Sequence, residues 1–187
     1  MTLEEILLAK RGDIQGRWLN CLLNTYATDA RRFFRKQKDH FANPVGTTFD
    51  TELENLLLAF LEHADGETLR PILDRILRMR AVQDFGPSQG LSFLFSLKDI
   101  IREVAEKEIL EQDLAQEVAA LEARIDQMAL LAFDVYMKCR ETLYELKANQ
   151  MKNQVSGLLR RAGLISEIPE WNPQPEGDNS NHSENSI

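Results

Sequence analysis

The sequence predicts an all-α protein, a helical bundle that ends in one very long C-terminal helix. No stretch sustains the two-residue alternation of a half-buried strand. Apolar residues recur instead at steps of three and four, from Leu3 through Cys139. Proline and glycine gather at corners between those runs, at Asn43-Pro44 with Gly46 and in "DFGPSQG" (84–90).

Taken in order, "TLEE" opens the first helix, with Thr2 and Glu5 spaced for a reciprocal capping box. Ile14, Trp18, Cys21, Leu22 and Tyr26 mark a second helix, or the first one continued through a bend near Gly12-Asp13. "TDARRFFRKQK" is a shorter helix with Thr28 or Asp29 as its cap. Pro44 crowds Asn43 out of helical geometry and closes that stretch. Leu53, Leu56, Leu57, Phe60 and Leu61 define the next helix, which ends near His63-Ala64-Asp65-Gly66. Thr68 is the expected cap of the following one, with Pro71 in its first turn and Leu69, Ile72, Leu73, Ile76 and Leu77 on its inner face. Leu91, Leu94, Phe95, Leu97, Ile100, Ile101 and Val104 make a helix apolar around much of its girth, so it belongs mid-bundle.

From Glu111 to about Arg161 there is no proline, and Gly157 is the single glycine. Leu114, Val118, Leu121, Ile125, Met128, Ala132, Val135 and Cys139 step by four and three. Such a ladder predicts a continuous helical seam. About fifty helical residues would extend roughly 75 Å, well beyond a globule of this length at about 30–40 Å. A second copy is the expected cover, because a two-fold axis uses one patch twice. The organisation expected is a helical core over 1–110, the long helix over 111–164 and a disordered acidic tail over 165–187, with Trp171 the one aromatic residue of that tail.

Composition narrows the function classes. The 187 residues carry a formal charge of −8. Five of those charges, Glu167, Glu170, Glu176, Asp178 and Glu184, lie in the tail, which has no lysine or arginine. An acidic chain repels phosphate backbones, so nucleic acid is not an expected partner, despite the local basic run "ARRFFRKQK". No apolar run approaches the ~20 residues of a membrane span, and the N-terminus lacks a signal-peptide core. Cys21 and Cys139 form no CxxC, consistent with a reduced, cytoplasmic setting.

Catalytic and metal chemistry find little footing. There is no HExxH, His/Cys cluster or EF-hand spacing. "GPSQG" lacks the lysine of a phosphate-binding loop, and Ser88 is read as a cap rather than a nucleophile. His63 sits at a helix C-terminus, where an imidazole interacts favourably with exposed carbonyls. His40 lies among Lys36, Lys38 and Asp39 beside a turn, a poor setting for a haem ligand. No enzyme, metal or cofactor is expected.

Two corner motifs carry a resemblance. "KQKDHFANPVG" (36–46) and "RAVQDFGPSQ" (80–89), preceded by "LAKRGDIQGRWLN", resemble the N-terminal domain of RsbRD-type proteins, the RsbT co-antagonists, over roughly residues 3–145. Gly86 departs from the serine or similar cap usual before the second proline. The resemblance implies an all-α sensory input domain of bacterial stress signalling, similar to a globin without haem, that dimerises and commonly precedes a STAS or kinase output. The sequence after the long helix leaves no room for the ~100 residues of either output. The expectation is therefore a stand-alone sensor, or else a ligand-free adaptor, acting through an unknown signalling partner. Lys36, Lys38, Asn43, Arg80 and Gln83 are the candidates for holding a small anionic ligand, provided the two corners meet. Leu114, Val118, Leu121, Ile125, Met128 and Val135 are the candidates for the dimer interface.

Overall fold

The computed structural model describes residues 2–36, 43–83 and 85–163, without the side chains of Phe33, Arg35 and Lys36. Eight helices and no strand occur among the described residues: α1 (Leu3–Ala9), α2 (Arg11–Asn24), α3 (Thr28–Lys36), α4 (Pro44–Leu61), α5 (Gly66–Val82), α6 (Pro87–Val104), α7 (Glu106–Glu111) and α8 (Ala115–Arg161). The all-α expectation and the long terminal helix both hold. No described helix is long and apolar enough to cross a membrane.

Local chemistry sets most boundaries. The Thr2 hydroxyl accepts from the Glu5 N–H at 3.3 Å while the Glu5 carboxylate accepts from the Thr2 N–H at 3.0 Å, which completes the capping box. Asn43 caps α4 by accepting the Gly46 N–H at 2.9 Å, with Pro44 at the first helical position, where its missing N–H costs nothing. Asp65, rather than Thr68, caps α5: its Oδ1 accepts both the N–H and the hydroxyl of Thr68. A carboxylate one residue before the helix outcompetes a hydroxyl that is already inside it. Ser88 is likewise inside α6, whose cap position is held by Gly86 without a side-chain bond. His63 leaves α4 with a positive φ of 59°, and Asp113 at 52° separates α7 from α8, so α8 starts four residues after Glu111.

A compact unit spans Met1–Leu146, and Lys147–Ile187 forms a second. The first takes in much of α8. Within it α4 packs most extensively on α5, and α2 on α6. Trp18 of α2 is fully buried and donates its indole N–H to the Phe93 carbonyl of α6 at 2.7 Å. Phe93, not Phe95, is the aromatic that α6 turns inward; Phe95 is half exposed.

The expected protomer-to-protomer seam is corrected here. Leu114, Val118, Leu121, Ile125, Met128 and Val135 are each at most 6% exposed and belong to the chain's own core. Periodicity marks a face to be covered, and intrachain neighbours cover this one. Lys98 and Arg102 of α6 pair with Asp126 and Glu122 of α8. Arg124 of α8 donates to the Phe60 carbonyl at the end of α4. Glu117 accepts the Leu3 N–H of α1 at 2.8 Å.

Candidate functional site

The two corner motifs do approach one another, through a residue that neither contains. Tyr26 follows α2 in the turn before α3, with its ring 5.4 Å from Phe34 and 5.9 Å from Phe49 on the side of the first corner. On the side of the second corner Phe85 stands 5.1 Å away, edge to face. Such ring geometries match the aromatic quadrupole and add to burial.

Arg80 lies at the centre of this cluster. The helical period that buries Ile72, Leu73, Ile76 and Leu77 also carries position 80 inward, and its side chain is wholly buried. Its Nε donates to the Gly90 carbonyl at 2.8 Å, and its Nη2 donates to the Gln89 carbonyl at 2.8 Å and to the Thr25 hydroxyl at 3.1 Å. One guanidinium thereby fastens the end of α5 to the first turn of α6 and to the α2–α3 turn. The Phe85, Tyr26 and Phe93 ring centroids lie 4.6, 5.5 and 5.5 Å from its central carbon. Cation–π contacts of this kind strengthen as water is excluded.

The compensation is incomplete. Nη1 of Arg80 is buried without a hydrogen-bond partner, and so is the Tyr26 hydroxyl beside it. No described carboxylate forms an ion pair with Arg80. Burial pulls the guanidinium below its ordinary range. Burial also pushes the Tyr26 phenol up to about 12, and the Arg80 charge opposes only part of that rise. Near neutrality the pair is therefore one cation and one neutral hydroxyl.

The long helix touches the same place. Tyr136 of α8 is fully buried and donates its hydroxyl to the Phe85 carbonyl at 2.5 Å. Its ring lies over Gly90, where an added Cβ would come within 3.0 Å of it. Gly90 is needed for that close approach.

Of the sequence candidates whose side chains are described, Asn43 and Arg80 are buried. Asn43 is engaged locally, capping α4 and donating its Nδ2 to the Phe34 carbonyl at 2.9 Å. Gln83 ends α5 and is exposed. Lys36 ends α3, while its side chain, Lys38, His40 and the tail with Trp171 lie outside the described residues. Sequence reading did not place Thr25, Tyr26, Phe85 or Tyr136 in the site, whereas Gly90, expected to serve a turn or close packing, does allow the close approach of Tyr136. The available signal was Arg80 itself, a charge in register with an apolar face.

Elsewhere, His63 approaches Glu4 and Arg124, each at 3.5 Å, at the junction of α1, α4 and α8. Among the described residues no group of three or more His, Cys, Asp or Glu is placed to hold a metal. An apolar groove of about 880 Å³ runs between α6 and α8, where Phe95, Leu130 and Phe133 are exposed.

No curated protein and no solved structure matches this chain. The family model of the RsbT co-antagonist protein rsbRD N-terminal domain matches residues 13–151, which include both corners, the Arg80 cluster and most of α8. The chain belongs to the RsbRD N-terminal domain family.

Proposed function

We propose that the chain is a non-enzymatic cytoplasmic input module of stress-response signalling. It works as a homodimer and passes a change in its helical core along α8 to a signalling protein partner. One observation carries this reading: the Tyr136 hydroxyl of α8 is bonded to Phe85, beside the Arg80 cluster. This bond ties the α5–α6 corner to a residue of the long helix, the physical link along which a relay would act. Family membership supplies the signalling context.

The inner ladder is covered, so the dimer contact falls on the opposite side of α8. Leu130 and Tyr144 are exposed there, with Met137 between them at a seven-residue step, and Met151 and Leu158 continue the step in sequence. A strict seven-residue repeat suits a helix pair. Sedimentation equilibrium at micromolar concentration tests it, with dimers expected for the wild type and monomers for Met137→Glu. A wild-type monomer overturns the dimer. The relay is tested by hydrogen exchange of the full chain mixed with a purified STAS-domain co-antagonist. Slowed exchange in α8, abolished by Tyr136→Phe, supports it; a complex with unchanged α8 exchange overturns it.

A ligand-free adaptor is the second reading, favoured by the exposed apolar groove between α6 and α8. It predicts that Phe133→Ser loses the partner while Tyr136→Phe keeps it.

A further inference from the structure

Among the described residues, the buried Arg80 cation is met by carbonyls, a hydroxyl and aromatic faces and by no carboxylate. Arginine cannot shed its proton under ordinary conditions, so it cannot relieve that burial by becoming neutral. A buried charge without a counter-charge is strongly unfavourable. Three of its N–H directions are taken, and the unpaired ones are on Nη1. The unpaired Tyr26 hydroxyl belongs to the ring 5.5 Å from the same guanidinium.

The unmet chemistry is thus one positive charge with the free Nη1 donors and, beside them, a hydroxyl able to donate or accept. A water molecule would satisfy the donors and leave the charge. A dianion such as hydrogen phosphate would reverse the charge and leave a buried negative one. A carboxylate matches both requirements: one oxygen accepts from Nη1, the other from the tyrosine hydroxyl, and the sum of charges is zero. Thr25, Tyr26 and Phe85 around the guanidinium are half-buried and Gln89 is exposed, so the residues that enclose it border solvent.

We propose that Arg80 Nη1 and Tyr26 Oη form a binding site for a small monocarboxylate at the meeting of the α2–α3 turn, α5 and α6. The site stands independently of the proposed relay along α8, because binding requires only these residues. Where the relay also operates, carboxylate occupancy neutralises the charge beside Phe85, the residue to which Tyr136 is bonded.

The full chain, dialysed into carboxylate-free buffer, is titrated calorimetrically and by thermal shift with acetate, formate and pyruvate. Chloride, sulfate and phosphate at matched ionic strength are the comparison arms. Saturable stabilisation by at least one monocarboxylate is expected, with the inorganic anions giving no saturable effect. Tyr26→Phe removes one donor at nearly constant shape and is expected to weaken that affinity about tenfold. Because the hydroxyl has no partner, Tyr26→Phe is expected to be as stable as the wild type without carboxylate. Three results overturn the proposal: no saturable carboxylate effect, equal response to every anion, or identical carboxylate affinity in Tyr26→Phe. A relay that fails with carboxylate binding intact would remove the signalling reading alone.

Discussion

The Arg80 guanidinium carbon stands 4.6 Å from the centre of the Phe85 ring, and the carbonyl of that same Phe85 accepts the Tyr136 hydroxyl at 2.5 Å. Phe85 is therefore the shared neighbour of the buried charge on α5 and the buried tyrosine on α8. Arg80 grips Gln89 and Gly90 through a planar fork, which an ammonium cannot reproduce. Lysine would also keep the charge buried and gain stronger hydration outside. Arg80→Lys is expected to destabilise by about 3 kcal/mol, and Arg80→Met by about 1–2 kcal/mol, because methionine loses the bonds but removes the charge. Urea denaturation ranks the two variants. Lysine proving the milder change would show that the charge itself, not the fork, is what the site requires.

Gly90 answers to Tyr136. Alanine at position 90 gains about 1 kcal/mol of helix propensity, yet its Cβ would meet Tyr136 Cε2 and Cζ at 3.0 Å. The ring is held at its hydroxyl end, so it cannot swing away freely. Gly90→Ala is expected to cost a net 1–3 kcal/mol. With Tyr136→Phe the ring loses that tether, and the double variant should cost less than the sum of the two single changes. A double-mutant cycle measures the coupling. Strict additivity would mean that the two residues do not constrain each other.

Much of this fold is legible because it is local. The Thr2–Glu5 box, the Asn43-Pro44 stop and the ladder of α8 each need only neighbours in sequence. What covers the ladder was not legible. Leu114 through Val135 read the same whether a second copy or the chain's own α1, α4 and α6 lies against them. The swap of Phe93 for Phe95 has a similar cause: on a helix apolar over most of its girth, periodicity no longer says which ring points inward. The site was half legible. Arg80 could be found by its register, whereas Tyr26 and Tyr136 join it over 54 and 56 residues of chain, a distance no local pattern spans.

Asn43 accepts the Gly46 N–H and donates to the Phe34 carbonyl. Asn43→Ala loses both and is expected to cost about 1–2 kcal/mol. Asn43→Asp keeps the cap acceptor but sets a buried carboxylate oxygen against the Phe34 carbonyl, so it retains the cap while losing stability at that contact. Hydrogen exchange at the Gly46 amide distinguishes them: fast in the alanine variant, protected in the aspartate variant. Equal protection in both would place the first-corner stability in Pro44 instead.

Alkaline titration reports on the buried phenol. Tyr26 ionises at about 12 in the folded chain against 10.0 for an unperturbed tyrosine, because burial disfavours the phenolate. The folded state then holds a proton that the unfolded state releases first, so stability is intact below pH 10 and falls as pH rises towards 12. Tyr26→Phe has no such proton to lose. Its urea midpoint should decline less between pH 10 and 12 than that of the wild type, while the two coincide at pH 7 in carboxylate-free buffer. Parallel decline of both proteins would mean that the hydroxyl is hydrated in solution rather than buried.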